Sequence, residues 1–103
     1  MRGDIRPTVT YLRLQWLRLV EMKPGAVSHN RVGFDCKKLG WTEWNYRTRH
    51  GDNITQEEAK ATYGERFWEH VRVHGERLTD AGRRVIEEHD AEQQRSRLNG
   101  RFS

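Results

Sequence analysis

His70 and His74 stand four residues apart, the spacing at which one face of a helix can offer two imidazoles to a metal ion. Val71 follows His70 where a zinc protease carries a glutamate, so the pair lacks the hydrolytic pattern. On a strand, both rings would fall on one side, solvated or stacked on Trp68. Cys36 is the single cysteine, and with His29 or His50 it has the makings of a nucleophile and its base. It also takes the packing position between two expected helices, where a buried thiol is usually inert. Alone it forms neither an internal disulfide nor a cysteine zinc site. Glu57-Glu58 and Glu87-Glu88 are most simply helix carboxylates, the first pair favouring a helix N-terminus and the second solvating a face. No glycine-rich phosphate loop and no flavin, nicotinamide or nucleotide pattern appears. These residues point away from an enzyme and imply no cofactor and no bound metal.

Basic charge is the other resource, and it is unevenly placed. Residues 1–51 hold ten Lys/Arg against four Asp/Glu, while residues 52–103 hold nine against eleven. The net charge of +4 thus hides a basic first half and a mildly acidic second half. A phosphate-facing surface needs such local excess. A length of 103 residues supports one domain with a modest core. Charged residues make up 33% of the chain, yet four Trp, three Tyr and three Phe supply enough bulk to fold around. No apolar run is long enough to span a bilayer, and Met1–Pro7 is charged, unlike a signal peptide. The expectation is an intracellular protein, cytoplasmic and without a membrane partner.

The elements that must position these groups are set by periodicity and punctuation. A charged arm over 1–7 precedes a helix that starts at Thr8 or Thr10 and stops before Pro24-Gly25. Leu12, Trp16, Leu19 and Val20 line one face of it, and Leu14 and Leu17 broaden that face. It is the expected backbone of the core or, on the same residues, a dimerisation helix. Ser28 can cap a second helix carrying Val32, Phe34, Cys36 and Leu39 up to Gly40. Thr42 can cap a third, ending near His50-Gly51, and Thr55-Gln56-Glu57-Glu58 is a capping box for a fourth that reaches about Tyr63. After Gly64, Phe67, Val71 and His74 fit a helix while the alternation from Phe67 to Val73 fits a strand; the strand is favoured, because His74-Gly75 can turn it into Glu76-Arg77-Leu78 as a hairpin. A last helix runs from Thr79 to about His89. Beyond Leu98 and Phe102 the tail over 90–103 is almost without apolar residues and reads as frayed or disordered. The class is mainly α with a small β-hairpin and four to five helices, in a folded domain over 8–89.

Two segments carry a resemblance. Cys36-Lys37-Lys38-Leu39-Gly40-Trp41-Thr42-Glu43-Trp44-Asn45-Tyr46-Arg47 resembles the helix-turn-helix of DNA-binding proteins, with Cys36 at the small packing position, Gly40 in the turn, and Trp41 and Tyr46 facing inward. Arg77-Leu78-Thr79-Asp80-Ala81-Gly82-Arg83 resembles the end of the wing and the start of the last helix in MarR- and PadR-like winged-helix regulators. The resemblance covers residues 28–89. It implies a winged helix-turn-helix with its motif at 28–50 and its wing at 67–78. It also implies a small transcriptional regulator of the phage or mobile-element type that binds double-stranded DNA as a homodimer. On that reading Trp44, Arg47 and Thr48 contact bases, Arg47 by pairing with guanine. Arg31, Lys37, Lys38 and Thr42 hold phosphates, and Arg72 and Arg77 reach the backbone from the wing.

The chain also departs from that pattern. Asp35 stands where an apolar residue is usual, Glu43 and Trp44 are odd groove readers, and the helix over 55–63 is extra. These departures define a second reading. In it a winged-helix scaffold binds another protein through Trp44, as an adaptor or as a phage-encoded inhibitor of a host nucleic-acid enzyme. If Trp44 and Trp68 are both exposed and adjacent, they make an apolar patch that calls for a partner.

Overall fold

Helix α1 (Tyr11–Met22) begins where Thr10 is still extended and its side-chain oxygen accepts from the Arg13 amide. The computed structural model describes residues 9–28 and 30–101. The arm over 1–7, Thr8, His29 and Phe102 lie outside the described residues. The buried face of α1 is Leu14, Leu17 and Val20, with Trp16 partly covered, whereas Leu12 and Leu19 are exposed. The apolar stripe is broad, and its packing partners choose the side that is buried. Helix α2 (Arg31–Lys38) is capped by Asn30, whose side chain accepts from the Val32 amide at 3.0 Å. Ser28, the expected cap, instead donates to the Asn30 carbonyl at 2.9 Å.

Gly40 makes the expected turn, with φ +82° and the Trp41 amide bonded back to the Cys36 carbonyl at 2.9 Å. The segment after it is a strand, not the expected helix. Thr42–Arg47 is strand β1, paired antiparallel with both β2 (Asn53–Ile54) and β3 (Arg72–Leu78), in the order β2-β1-β3. Thr42, Trp44 and Tyr46 are residue types that suit a pleated, half-buried surface, and two partner strands complete the hydrogen bonds. The helix-turn-helix expected at 28–50 therefore lacks its second helix.

The hairpin expected at 67–78 is corrected in the same way. Phe67–Glu69 is a single 3-10 turn, and β3 runs unbroken through His74-Gly75. Gly75 (φ +70°) serves a close approach rather than a turn, because a Cβ there would lie 2.1 Å from the Gly25 carbonyl oxygen. That approach lets the Gly25 amide bond the Glu76 carbonyl (2.8 Å) and the Glu76 amide bond the Ala26 carbonyl (2.9 Å), covering the outer edge of β3. The true hairpin is β1–β2, closed by the Thr48 amide on the Asp52 carbonyl at 2.9 Å.

Helix α3 (Gln56–Tyr63) carries the expected capping box between Thr55 and Glu58. Those bonds, first the one from the Thr55 amide, hold the Glu58 carboxyl below its ordinary range. Helix α4 (Asp80–Arg101) starts where Thr79 accepts from the Gly82 amide, and it runs well past His89, with residues 91–98 exposed. The protein is thus mainly α with a small antiparallel sheet.

The buried apolar residues fall into two clusters. Leu14, Leu17, Val20, Cys36, Trp41, Leu78 and Ile86 form the first, where α1, α2 and α4 meet the start of the sheet. Tyr46, Ala59, Phe67 and Val71 form the second under α3. Burying a Leu, Val or Phe side chain stabilises the fold by about 1.5–3 kcal/mol. Arg18 reaches Asp90 at 2.5 Å and ties α1 to α4. Among the described residues no helix is long and apolar enough to cross a membrane.

Candidate functional site

The last residue of β1, Arg47, lies directly opposite the first residue of β3, Arg72. Cross-strand partners share a face of the sheet, so two guanidiniums project the same way, an arrangement that is destabilising when nothing offsets it. Arg49 joins them from the β1–β2 turn. With Thr48, Trp68, His70 and His74 these arginines line a cleft of about 630 Å³. Among the described residues no carboxylate pairs with them. Arg47 bonds only neutral groups, His74 Nε2 at 3.1 Å and Asn53 Oδ1 at 3.4 Å. The side chains of Arg49 and Arg72 make no ion pair or hydrogen bond among the described residues. Glu69, at the cleft's border, is already paired with Arg66.

A buried polar network holds Arg47 in place. Asn45 is fully buried at the irregularity between Trp44 and Tyr46, where β1 and β3 slip register. Its amide nitrogen donates to Asn53 Oδ1 at 2.9 Å and to the His74 carbonyl at 3.1 Å, and its oxygen accepts from Arg77 at 3.5 Å. Asn53 Oδ1 thus receives both Asn45 and Arg47. A guanidinium only donates, so His74 Nε2 is the accepting nitrogen and the ring proton sits on Nδ1. That Nδ1 is buried and without a partner among the described residues. An unmet donor of this kind costs about 1–3 kcal/mol, which His74 bears while its other nitrogen steadies Arg47.

Aromatic rings also line the cleft. Trp68 is 61% exposed, and its ring meets the buried Phe67 edge-on with centroids 5.5 Å apart. His70 stacks on Tyr63 at 4.8 Å and 12°.

Comparison with models of known families, with curated proteins and with solved structures finds no match. The chemistry of the cleft must therefore be read from its own side chains.

Of the residues expected to contact DNA, the fold brings Arg47, Thr48 and Arg72 together in this cleft. Trp44 lies elsewhere. It borders a groove of about 210 Å³ with Val27, Phe34 and Lys37, and the Lys37 ammonium sits 3.3 Å above its ring. Lys37 is also paired with Glu76 at 3.5 Å, so its charge is met inside the protein. Thr42 is 2% exposed and donates to Glu76 Oε1 at 2.7 Å, so it cannot hold a phosphate. Arg77 is half-buried beneath the sheet network on Asn45. Arg31 and Lys38 are exposed on α2 and do not line the cleft, and Arg31 is paired with Asp35. Trp44 and Trp68 are both exposed but border different depressions.

Arg49 and His74 belong to the cleft, although neither is among the residues expected to contact DNA, and the spacing of His74 from His70 suggests a metal instead. The available signal is the Arg-Thr-Arg run at 47–49, which places two cations on either side of a turn. Cys36 is fully buried, and burial pushes its thiol up to about 11, consistent with a packing role. Among the described residues no three His, Cys, Asp or Glu side chains converge on a metal-sized site.

Proposed function

We propose that this protein binds nucleic acid through its phosphodiester backbone, with Arg47, Arg49 and Arg72 as the phosphate-gripping groups. The supporting observation is the concentration of these guanidiniums in one concave site, without a carboxylate partner among the described residues. Planar guanidinium forks match phosphate oxygens and keep their charge at any physiological pH. Thr48 accepts the Asp52 amide at 3.1 Å, which leaves its hydroxyl proton free to donate to a phosphate. The binding surface is then the open end of the β1–β3 ladder, not a helix laid in the major groove.

The test is a fluorescence-anisotropy titration of a labelled oligonucleotide at several salt concentrations. Each neutralised duplex phosphate contributes about −0.9 to the slope of log K against log salt, so three contacts give about −2.7. Between about 50 and 200 mM salt, that slope corresponds to a weakening of roughly 40-fold. Arg72→Ala should lower the steepness by about 0.9. Absence of binding at low salt would refute the proposal.

A second surface favours a different reading. Val27, Phe34 and Trp44 are all about half exposed around one groove, the kind of apolar grouping at which proteins meet. On that reading the chain is an adaptor or inhibitor of another protein. Trp44→Ala should then leave the oligonucleotide titration unchanged. A loss of nucleic-acid affinity in Trp44→Ala would instead assign the groove to the same ligand as the cleft.

A further inference from the structure

We infer that the cleft takes single-stranded nucleic acid, with an unpaired base stacked on Trp68; this rests on the backbone-binding reading above. Trp68 offers the largest stacking surface of any side chain, and it is more than half exposed where it lines the same cleft as the arginines. It is also held in position. Its neighbour Phe67 is buried against Tyr46 with ring centroids 5.6 Å apart, and the 3-10 turn is closed by the His70 amide on the Phe67 carbonyl at 2.9 Å. Phe67 then supports the indole from its edge, leaving ring surface open to solvent.

A strand whose phosphates lie along Arg47, Arg49 and Arg72 brings its bases into the cleft that the indole lines. A duplex cannot use it, because its bases are already stacked on both faces and turned inward. Shape points the same way. Reading a duplex calls for a projecting helix or ribbon that enters a groove, whereas this site is a recess. Its volume of about 630 Å³ is that of a pocket for a small ligand, suited to one or two nucleotides. His70, stacked on Tyr63 at the border of the same cleft, supplies a second planar surface for the next base.

The test compares a labelled oligothymidine strand with a duplex of the same length, for the wild-type protein and for Trp68→Ala, Trp68→Phe and Arg72→Ala. The strand should bind more tightly than the duplex. Trp68→Ala should weaken strand binding between about fivefold and a hundredfold at fixed salt, the range seen when one stacked base loses its platform. Its salt slope should not change, because no charge is removed, and Trp68→Phe should restore much of the affinity. Arg72→Ala should flatten the strand's slope by about 0.7. If the duplex binds as tightly as the strand, or Trp68→Ala binds like the wild type, the single-strand inference is overturned while backbone binding stands. If neither probe binds at low salt, both readings fall together.

Discussion

Glu76 is 4% exposed and joins three elements through its carboxylate. It accepts from Thr42 Oγ1 of β1 at 2.7 Å, from Trp16 Nε1 of α1 at 3.4 Å, and from Lys37 Nζ of α2 at 3.5 Å. Glu76→Ala strands all three donors. Losing the partner of each neutral donor costs about 1 kcal/mol, Thr42 more firmly than Trp16 because its bond is shorter and buried. Breaking a fully buried ion pair would add about 3–5 kcal/mol, but Lys37 keeps some contact with water and can turn its ammonium outward, so about 1 kcal/mol is the appropriate share. The total is about 3 kcal/mol. For a domain of this size that lowers Tm by about 12–24 °C. Glu76→Gln keeps an oxygen for Thr42 and Trp16 and loses only the attraction to Lys37, so about 1 kcal/mol is expected. Urea and thermal unfolding followed by circular dichroism would measure both variants. An Ala variant less than about 1 kcal/mol below wild type would refute the three-way junction. Equal losses for Gln and Ala would show that charge, not hydrogen-bond acceptance, holds it together.

Gly75→Ala places a Cβ 2.1 Å from the Gly25 oxygen and 2.5 Å from the Ala26 oxygen, both backbone atoms, at φ +70°. It should cost more than about 3 kcal/mol, whereas Gly51→Ala, with φ +88° but open space around it, should cost about 1 kcal/mol. Equal urea midpoints for the two variants would show that the approach of β3 to Gly25 is not what constrains the sheet. Asp90 tests the α1–α4 clamp by pH. Its hydrogen bond from Arg18 holds the carboxyl below its ordinary 3.8, so the folded state binds that proton less readily than the unfolded chain. The stabilisation is complete above 3.8 and is lost as pH falls through the lower folded value. Asp90→Asn should therefore be less stable at neutral pH and converge with wild type in acid. Parallel curves would mean the pair contributes nothing.

Signals confined to a few residues are legible in the sequence. Thr10, Thr55 with Glu58, and Thr79 each mark a helix start, because a cap needs only the next turn of chain. The turn at Gly40 is legible too, but the element after it is not. Trp41 and Tyr46 suit the inner face of a short helix as well as a strand, and the choice falls to β3, some thirty residues away. His74-Gly75 misleads for a related reason. A glycine at positive φ serves a tight turn or a close backbone approach equally well, and here Gly25, fifty residues upstream, makes it the latter.

The candidate site shows the same division between local and distant information. Arg47, Thr48 and Arg72 are expected as DNA contacts from residue type, whereas their meeting in one cleft is a property of sheet register. A count of charges treats Lys37, Arg77 and Arg72 alike. In the folded chain Lys37 faces the Glu76 carboxylate and Arg77 faces Asn45, so part of the basic character of the sequence is met within the protein. Glu76 accepts from Lys37 and Thr42, two of the residues expected to hold a phosphate. What remains for an external anion is defined by subtraction. It is the charge gathered in one place and without a carboxylate partner among the described residues, and Arg47, Arg49 and Arg72 meet both conditions in one cleft. That is why the arginines beside Trp68, rather than the lysines beside Trp44, mark the surface where a phosphate chain should be sought.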